Sequence, residues 1–230
     1  MNRDGKAIGK KALFCEPRPD KRVKCTLCPR YCNIPPGGVA FCFARENRDG
    51  TLYNRVWGRP TAVHVDPIEK KPLFHFLPGT DVLSIGTAGC NLGCRFCQNW
   101  DLSRAGEVQR GAVVMPPEAV VETALRYGCP SIAFTYNEPT ILAEYVMDTA
   151  AIARREGIKT VMVTNGYISR EAIPAVYENV DAANVDLKAF DDRFYRKQAY
   201  GRLQPVLDAL VVLKTMGVWI EITTLLIPGL

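Results

Sequence analysis

The sequence predicts an α/β protein that is built on a parallel sheet. After residue 80, short runs rich in Val, Ile, Leu and Thr alternate with longer runs that have a helical apolar period. The short runs are apolar almost throughout, as expected of strands that are buried on both faces. Strand–helix–strand repetition implies right-handed crossovers and parallel neighbours. Periodicity leaves two arrangements open, an open doubly wound sheet and part of a barrel.

Five strands and four helices account for this part of the chain. The predicted strands comprise residues 82–86, 131–135, 160–164, 182–187 and 218–227. The predicted helices comprise residues 116–127, 139–156, 169–178 and 204–216. Prolines occupy the first turn of the first two helices, and Ser169 is placed to cap the third. Gly128, Gly157 and Gly217 follow three of the helices and suit their ends.

The first 80 residues differ in texture from the rest. Pro and Gly are frequent there, and no long helical period is present. We therefore expect an irregular, Cys-rich N-terminal segment over residues 1–80 and an α/β domain over residues 81–230. The last predicted strand runs to the end of the chain, with nothing after it to cover it or pair beside it. This pattern predicts a chain that is truncated after the fifth strand.

Composition indicates a folded protein and excludes several classes. The 230 residues are 47% hydrophobic and 23% charged, which is ordinary for a globular protein. No apolar run is long enough to cross a bilayer, and no signal peptide is recognisable at the N-terminus. The nine cysteines are an odd number, which argues against a secreted disulfide framework. We expect a cytoplasmic protein with no membrane partner.

Three cysteines follow the first predicted strand in the spacing Cys90-x3-Cys94-x2-Cys97. Loops after parallel strands lie at the functional edge of such sheets. Three close thiolates suit an iron–sulfur cluster, which usually takes four, so one iron would stay open for a substrate. The alternatives are a zinc ion with a distant fourth ligand and buried structural thiols. Zinc more often takes two closely spaced cysteine pairs, which favours the cluster.

This cysteine spacing, with aromatic Phe96 before the last cysteine, resembles the radical S-adenosylmethionine (SAM) superfamily. The resemblance implies a [4Fe-4S] cluster whose open iron binds the amino and carboxylate groups of SAM. It also implies that one electron from the cluster cleaves SAM to methionine and a 5′-deoxyadenosyl radical. That radical abstracts hydrogen from a substrate, here unknown. The fold implied is a partial (β/α)6 TIM-like barrel, which fits the expected truncation.

The resemblance extends to the ends of later strands. Where the family has a Gly-Gly-Glu-Pro-like turn, this chain has Tyr136-Asn137-Glu138-Pro139, so Glu-Pro is kept and the glycines are replaced. A Thr-Asn-Gly turn and an Asp-Leu-Lys sequence resemble those of pyruvate formate-lyase activating enzymes. The cofactor-binding residues that the resemblance implies are Phe96, Asn137, Glu138, Thr164, Asn165, Asp186 and Lys188. For the two charged strand-end residues, an ion pair at the sheet rim is the structural alternative.

A second group of cysteines has the spacing Cys25-x2-Cys28-x3-Cys32-x9-Cys42. Four grouped thiols predict a second metal site, which is either zinc or a second iron–sulfur cluster, with free thiols as the alternative. Together with the stretch DPIEKKPLFHF at residues 66–76, this group resembles the radical SAM enzyme of the AmmeMemoRadiSam system. The name of that system implies an association with AMMECR1-like and Memo-like proteins.

Two hypotheses of function follow from the sequence. The first is a radical SAM enzyme of the activating type, supplied with electrons by a donor such as flavodoxin or ferredoxin, whose substrate is a protein, a small molecule or RNA. The second is a non-enzymatic metal-binding scaffold, with zinc or iron–sulfur in both cysteine groups, that serves redox sensing or interaction. The number of cysteine ligands distinguishes them, because a three-ligand site leaves room for SAM and a four-ligand site is closed.

Overall fold

The computed structural model describes residues 9–104 and 112–229. Within those residues the chain forms twelve strands, namely β1 Lys10–Lys11, β2 Cys15–Pro17, β3 Val23–Cys25, β4 Asn33–Ile34, β5 Arg45–Arg48, β6 Thr51–Asn54, β7 Ala62–Pro67, β8 Asp81–Gly86, β9 Ser131–Phe134, β10 Lys159–Thr164, β11 Ala182–Asp186 and β12 Trp219–Thr223. The α-helices of the same residues are α1 Trp100–Ser103, α2 Pro117–Arg126, α3 Ala143–Arg155, α4 Ile173–Val176, α5 Asp192–Phe194 and α6 Gln204–Thr215. None of these helices has the length and apolar content that a membrane-spanning segment needs.

A six-stranded sheet in the order β12-β11-β10-β9-β8-β7 organises the fold. Strands β8 to β12 are parallel, whereas β7 pairs antiparallel with β8. The parallel strands start in register, since Ser131 pairs with both Val82 and Lys159. The central residues of β8 to β11 are almost fully buried, as the apolar runs predict, whereas the residues of the edge strand β12 are half-buried or exposed. The α/β architecture of a partial TIM-like barrel is therefore present.

Two of the predicted elements are shorter than expected. The helix expected at 169–178 comprises only Ile173–Val176, because Pro174 has no N–H for an earlier turn. The Ser169 hydroxyl does not cap it and donates instead to the carbonyl of Thr26 at 2.6 Å. The strand expected at 218–227 ends at Thr223, which pairs with Asp186, the last residue of its neighbour β11. Beyond that residue β12 has no partner to pair with.

The expectation of an irregular N-terminal segment is wrong. Residues 10–54 form two three-stranded sheets, ordered β1-β6-β5 and β2-β3-β4, whose strands are antiparallel. These strands are two to four residues long, too short for alternation to be read in the sequence. Since β7 joins the main sheet, that sheet begins at Ala62, before the expected boundary at residue 81.

A buried ion pair fastens the N-terminal segment to the main domain. The guanidinium of Arg45 donates two hydrogen bonds of 2.9 Å to the carboxylate of Glu144 in α3, and both side chains are 1% exposed. Asn54 Nδ2 and the Leu13 N–H donate to the same carboxylate at 2.7 and 2.8 Å. Such a pair is favourable when buried only if both charges and their remaining polar atoms are satisfied.

The stretch 66–76 crosses one face of the main sheet. Ile68 and Leu73 pack with apolar residues of four successive strands, β8 to β11. At the far edge, the Glu221 carboxylate of β12 accepts the backbone N–H groups of residues 74, 75 and 76 at 2.8, 3.1 and 3.2 Å. Asn184 Nδ2 donates to the Pro72 carbonyl at 2.9 Å. This face of the sheet is therefore covered from β7 to β12.

The start of this stretch carries a polar cluster that contacts the end of β9. Lys71, which is 3% exposed, donates to the Asp66 carboxylate at 2.8 Å, as does the Tyr136 hydroxyl. The Lys71 ammonium also lies 4.7 Å from the centre of the Tyr136 ring. Burial and the Asp66 carboxylate raise the pKa of Tyr136 to about 12. Tyr136 has a left-handed φ of 70°, which is rare for an aromatic residue.

The Arg45–Glu144 pair leads to a first prediction. The substitution Glu144→Gln should lower the free energy of unfolding by about 3–5 kcal/mol, because the buried guanidinium loses its counter-charge. Urea-induced unfolding followed by circular dichroism measures the loss. The control is Lys159→Met, which removes the 2.8 Å pair of a half-exposed lysine with Asp181 and should cost less than about 1 kcal/mol. Equal losses in the two variants would contradict the prediction.

The Asp66 cluster predicts a specific dependence of stability on pH. Burial alone would raise the pKa of Asp66, but hydrogen bonds from Lys71 and Tyr136 outweigh it and hold the pKa well below its usual range. The ionised carboxylate therefore stabilises the fold above its unfolded pKa of about 3.9, and this contribution is lost as the pH falls further. Asp66→Asn should be less stable than the wild type at pH 7, with a difference that shrinks below about pH 4.

Urea midpoints of the metal-free protein between pH 7 and about pH 3 test this expectation. Because the comparison is a difference between variant and wild type, the titration of other carboxyl groups cancels. A difference that stays constant over this range would show that Asp66 does not have a depressed pKa in the folded protein.

Candidate functional site

The carboxyl ends of the parallel strands bring four loops together. Parallel strands end at the same edge of a sheet, so the segments that follow them become neighbours. Here these segments follow Gly86, Phe134, Thr164 and Asp186, and together with the last residues of the strands they contain the three cysteines of the first group and the predicted cofactor-binding residues. The topology therefore places these residues at one edge of the sheet, and their roles stay predictions.

The first cysteine group lies in an ordered loop. Cys90, Cys94 and Cys97 are all partly buried free thiols. The backbone N–H of Leu92 donates to the Cys90 sulfur at 3.4 Å, and Cys97 Sγ lies 3.5 Å from the Ser103 hydroxyl oxygen. The loop is held from outside by hydrogen bonds from the N–H groups of residues 93 and 95 to the carbonyls of residues 199 and 198, at 2.9 and 2.8 Å. These contacts tie the loop to residues 198 and 199, which follow α5.

The three thiols lie close together. Burial raises the pKa of Cys90, and the nearby Glu138, Cys94 and Cys97 add to the rise. Burial also raises the pKa of Cys94, which Lys188 partly offsets. A cluster bound by these thiols would supply the positive charge that favours their thiolate form.

The donor set fits a cluster of several irons. In the described parts of the chain, no three His, Cys, Asp or Glu side chains converge as ligands of a single metal ion would. A four-iron cluster does not need such convergence, because each thiolate binds a different iron atom. Three neighbouring thiols on an ordered loop are the ligands that a cluster with one open iron requires.

Asn137 joins the cysteine loop to the loop after β9. Its side-chain oxygen accepts the Thr87 N–H at 3.0 Å, and its Nδ2 donates to Thr87 Oγ1 and to the Gly89 carbonyl at 2.9 and 3.0 Å. The side chain is 8% exposed. These contacts place Asn137 as a support of the cysteine loop, and its role in binding SAM stays a prediction.

Glu138 is buried and accepts three hydrogen bonds from the chain. The donors are the Thr140 N–H at 2.9 Å, the Thr164 hydroxyl at 2.7 Å and the Asn165 N–H at 2.7 Å. Burial raises the pKa of Glu138, and these hydrogen bonds oppose the rise. The carboxylate thus caps the turn Pro139–Leu142 and ties the end of β9 to the end of β10. The expected contact with the SAM amine remains a prediction.

Asn165 and Asn91 connect the end of β10 to the cysteine loop. Asn165 Nδ2 donates to Asn91 Oδ1 at 2.9 Å and lies 3.8 Å from the Cys90 sulfur. Asn91 Nδ2 in turn donates to the Tyr167 carbonyl at 2.7 Å. Asn91 was not among the residues predicted from sequence, because its position within the cysteine motif gives no sign of its distant partners.

Asp186 and Lys188 form the ion pair that was the structural alternative for these residues. Lys188 Nζ lies 2.6 Å from Asp186 Oδ2. Burial would lower the pKa of Lys188, but the Asp186 carboxylate outweighs it and the pKa is raised. Lys188 also lowers the pKa of Cys94, so the pair lies beside the cysteine loop. A SAM-binding role of this pair is untested by these contacts.

Phe96 lies on the outer side of the cysteine loop. Its ring centre is 5.7 Å from that of Phe194, at the end of α5, with the rings tilted by 49°. The side chain is half-buried and partly open to the surface. Part of the Phe96 side chain is thus exposed. The contact of Phe96 with adenine stays a prediction.

The second cysteine group lies on the other side of the same loop. One small cavity is lined by all four of its thiols together with Arg45, Asn91 and Ile141. Burial and, to a smaller extent, the nearby Cys25 raise the pKa of Cys42 to about 11. Burial likewise raises the pKa of Cys28, with additional effects from the other three thiols. The structure therefore brings these four cysteines together, as their spacing predicts.

Comparisons with known proteins identify relatives of this chain. The uncharacterized protein MJ0808 of Methanocaldococcus jannaschii is 45% identical over 220 residues, which are 96% of this chain and 65% of that protein. The pyruvate formate-lyase 1-activating enzyme of Escherichia coli K12 is 24% identical over 146 residues, 61% of this chain and 59% of that enzyme. The chain thus spans less than two thirds of either relative.

A solved structure of TYW1 with a lysine-pyruvate adduct bound has a TM-score of 0.48 and 21% identity, over 73% of this chain and 66% of that one. Residues 84–230 match the family described as the Radical SAM superfamily. Since this match covers more than half of the chain and includes the loop with its three cysteines, the protein belongs to the radical SAM superfamily, whose enzymes use a [4Fe-4S] cluster and SAM.

Proposed function

We propose that this enzyme cleaves SAM reductively and uses the resulting 5′-deoxyadenosyl radical to abstract hydrogen from its substrate. The observation that carries the proposal is a loop with three neighbouring thiols, Cys90, Cys94 and Cys97. This loop follows β8 at the carboxyl edge of the parallel strands. When bound, a [4Fe-4S] cluster supplies one electron and an open iron for SAM. The three thiolates would hold that cluster.

The surrounding residues would orient the cofactors and limit access of water. Asn165 and Asn137 hold the cysteine loop from beneath, so its sulfur atoms keep their places. The Asp186–Lys188 pair lies beside Cys94, where Lys188 would meet the ribose of SAM and Asp186 would hold a monovalent cation next to the SAM carboxylate. Phe96 would pack against the adenine. Glu138 and Thr164 would act at the methionyl end through the turn that they fix.

The four cysteines of the second group would form a further metal site of the same enzyme. Their shared cavity and mutual effects on ionisation support this role. Four thiolates would close the coordination of the metal, so this site would not bind SAM. Zinc and a second iron–sulfur cluster are the two candidates for its occupant, and the cluster fits the described residues better, because no three of their side chains converge as ligands of a single ion would.

A protein is the substrate class that the comparisons favour. The chain is distantly similar to an enzyme whose name describes the activation of pyruvate formate-lyase, which is itself a protein. The enzyme would then need a one-electron donor such as flavodoxin or ferredoxin. Membership of the AmmeMemoRadiSam system, with Memo-like and AMMECR1-like partners, rests on the cysteine-rich head and the stretch 66–76. Nine free thiols suit the reducing cytoplasm.

The substitution Cys94→Ala tests the proposal. It should abolish the formation of 5′-deoxyadenosine from SAM in the anaerobically reconstituted full-length enzyme with dithionite, because the cluster loses one of three protein ligands. Liquid chromatography of the nucleoside products measures this. The matched control is Cys129→Ala, which removes a buried thiol remote from both cysteine groups and should leave product formation within about threefold of the wild type.

Electron paramagnetic resonance of the reduced wild type, with and without SAM, separates this function from a metal-binding scaffold. A spectrum that changes on addition of SAM supports binding at an open iron. If SAM leaves the spectrum unchanged and no 5′-deoxyadenosine forms, the protein is a scaffold and the proposal is wrong.

A further inference from the structure

The cavity of the second cysteine group lies directly behind the first cysteine loop. The carbonyl oxygen of Cys42 packs so closely on Gly89 that a side-chain carbon at Gly89 would lie 2.1 Å from it. Gly89, at a φ of 102°, immediately precedes Cys90. A ligand of the second group thus contacts the residue next to a ligand of the first. This contact also explains why residue 89 is glycine.

Asn91 provides a second link between the two groups. Its side chain lines the cavity of the second group, and its Oδ1 accepts the hydrogen bond from Asn165, which reaches the Cys90 sulfur. The guanidinium of Arg30, which also lines the cavity, donates to the Asn91 carbonyl and to the Tyr200 carbonyl. The layer Gly89 to Asn91, which includes the first-group residue Cys90, therefore lies against the second group of thiols.

The wall of the cavity also contains an unused hydrogen-bond donor. Arg45 lines the cavity and is 1% exposed. The Glu144 carboxylate binds two of its nitrogens and balances its charge, whereas its buried Nε has no hydrogen-bond partner among the described residues. A four-thiolate metal centre carries net negative charge, and that charge grows by one unit when an iron–sulfur cluster is reduced. Hydrogen-bond donors near the sulfur atoms favour the reduced state of such a cluster.

We propose that Cys25, Cys28, Cys32 and Cys42 hold a second iron–sulfur cluster, and that this cluster passes electrons to the SAM-binding cluster across the layer Gly89 to Asn91. The proposal rests on the function proposed above. An external low-potential donor loses one electron, the second cluster gains it, and the same electron then moves to the first cluster. No bond forms or breaks and no proton moves in this transfer. Zinc in the same site would be unable to take part, because it has no redox chemistry.

Metal content and spectroscopy of the full chain test the identity of the second centre. The anaerobically reconstituted wild type should contain about eight iron atoms per chain and give two overlapping signals in electron paramagnetic resonance after reduction. Cys28→Ala and, independently, Cys42→Ser should each reduce the iron content by about half. The control Cys15→Ala removes a nearby thiol that does not line the cavity and should retain both signals. About four irons and one zinc per wild-type chain would overturn the proposal.

Electron transfer is tested by changing the donor. With reduced ferredoxin as donor, Cys28→Ala should form 5′-deoxyadenosine at least about tenfold more slowly than the Cys15→Ala control. With titanium(III) citrate, a small reductant that reaches the partly exposed first loop directly, the two variants should agree within about threefold. Equal rates with both donors would overturn the relay. If the wild type forms no product even with titanium(III) citrate, the proposed function fails instead.

Discussion

The buried carboxylate of Glu138 is the constraint on which the candidate site depends. A carboxylate that is 2% exposed is costly unless hydrogen bonds replace its hydration. Here the chain supplies those bonds from Thr140, Thr164 and Asn165, which lie on both sides of the gap between β9 and β10. The same three bonds fix the directions in which the two strand ends continue. Glu138 thereby fixes the positions of the ends of β9 and β10, and its carboxylate is hydrogen-bonded within the chain.

Hydrogen bonds of amide side chains connect Glu138 to both groups of cysteines. The Asn165 N–H donates to Glu138. The Asn165 side chain donates to Asn91 and lies close to the Cys90 sulfur. Asn91 faces the cavity of the second group, where Arg45 brings in the Glu144 carboxylate of α3. Buried amides and ion pairs of this kind are rigid, because breaking any one of them leaves a partner unsatisfied. The two cysteine groups are therefore linked by one continuous network of buried polar side chains.

The sequence predicts the parallel strands well, because strands buried on both faces are apolar throughout and lie between glycine-ended helices. It also predicts which cysteines come together, since thiol spacing is local. Three features could not be read from it. The strands of residues 10–54 are too short for alternation, Asn91 has its partners about 75 residues away at Asn165 and Tyr167, and Glu138 is engaged by groups on two loops. These depend on which distant segments meet, and one sequence does not give that information.

Tyr136 illustrates how a departure from the family pattern is accommodated. The family has glycine where this chain has a tyrosine with φ of 70°, a backbone conformation that is costly for a bulky side chain. Asn99 Nδ2 donates to the Tyr136 carbonyl at 2.7 Å, and the hydroxyl binds Asp66 at 2.8 Å. Tyr136 therefore links Asn99, which directly precedes α1, to the stretch 66–76. That stretch crosses one face of the main sheet as far as Glu221 in β12. The tyrosine that replaces the family's glycine thus ties the loop after β9 to the segment that packs on β8 to β11.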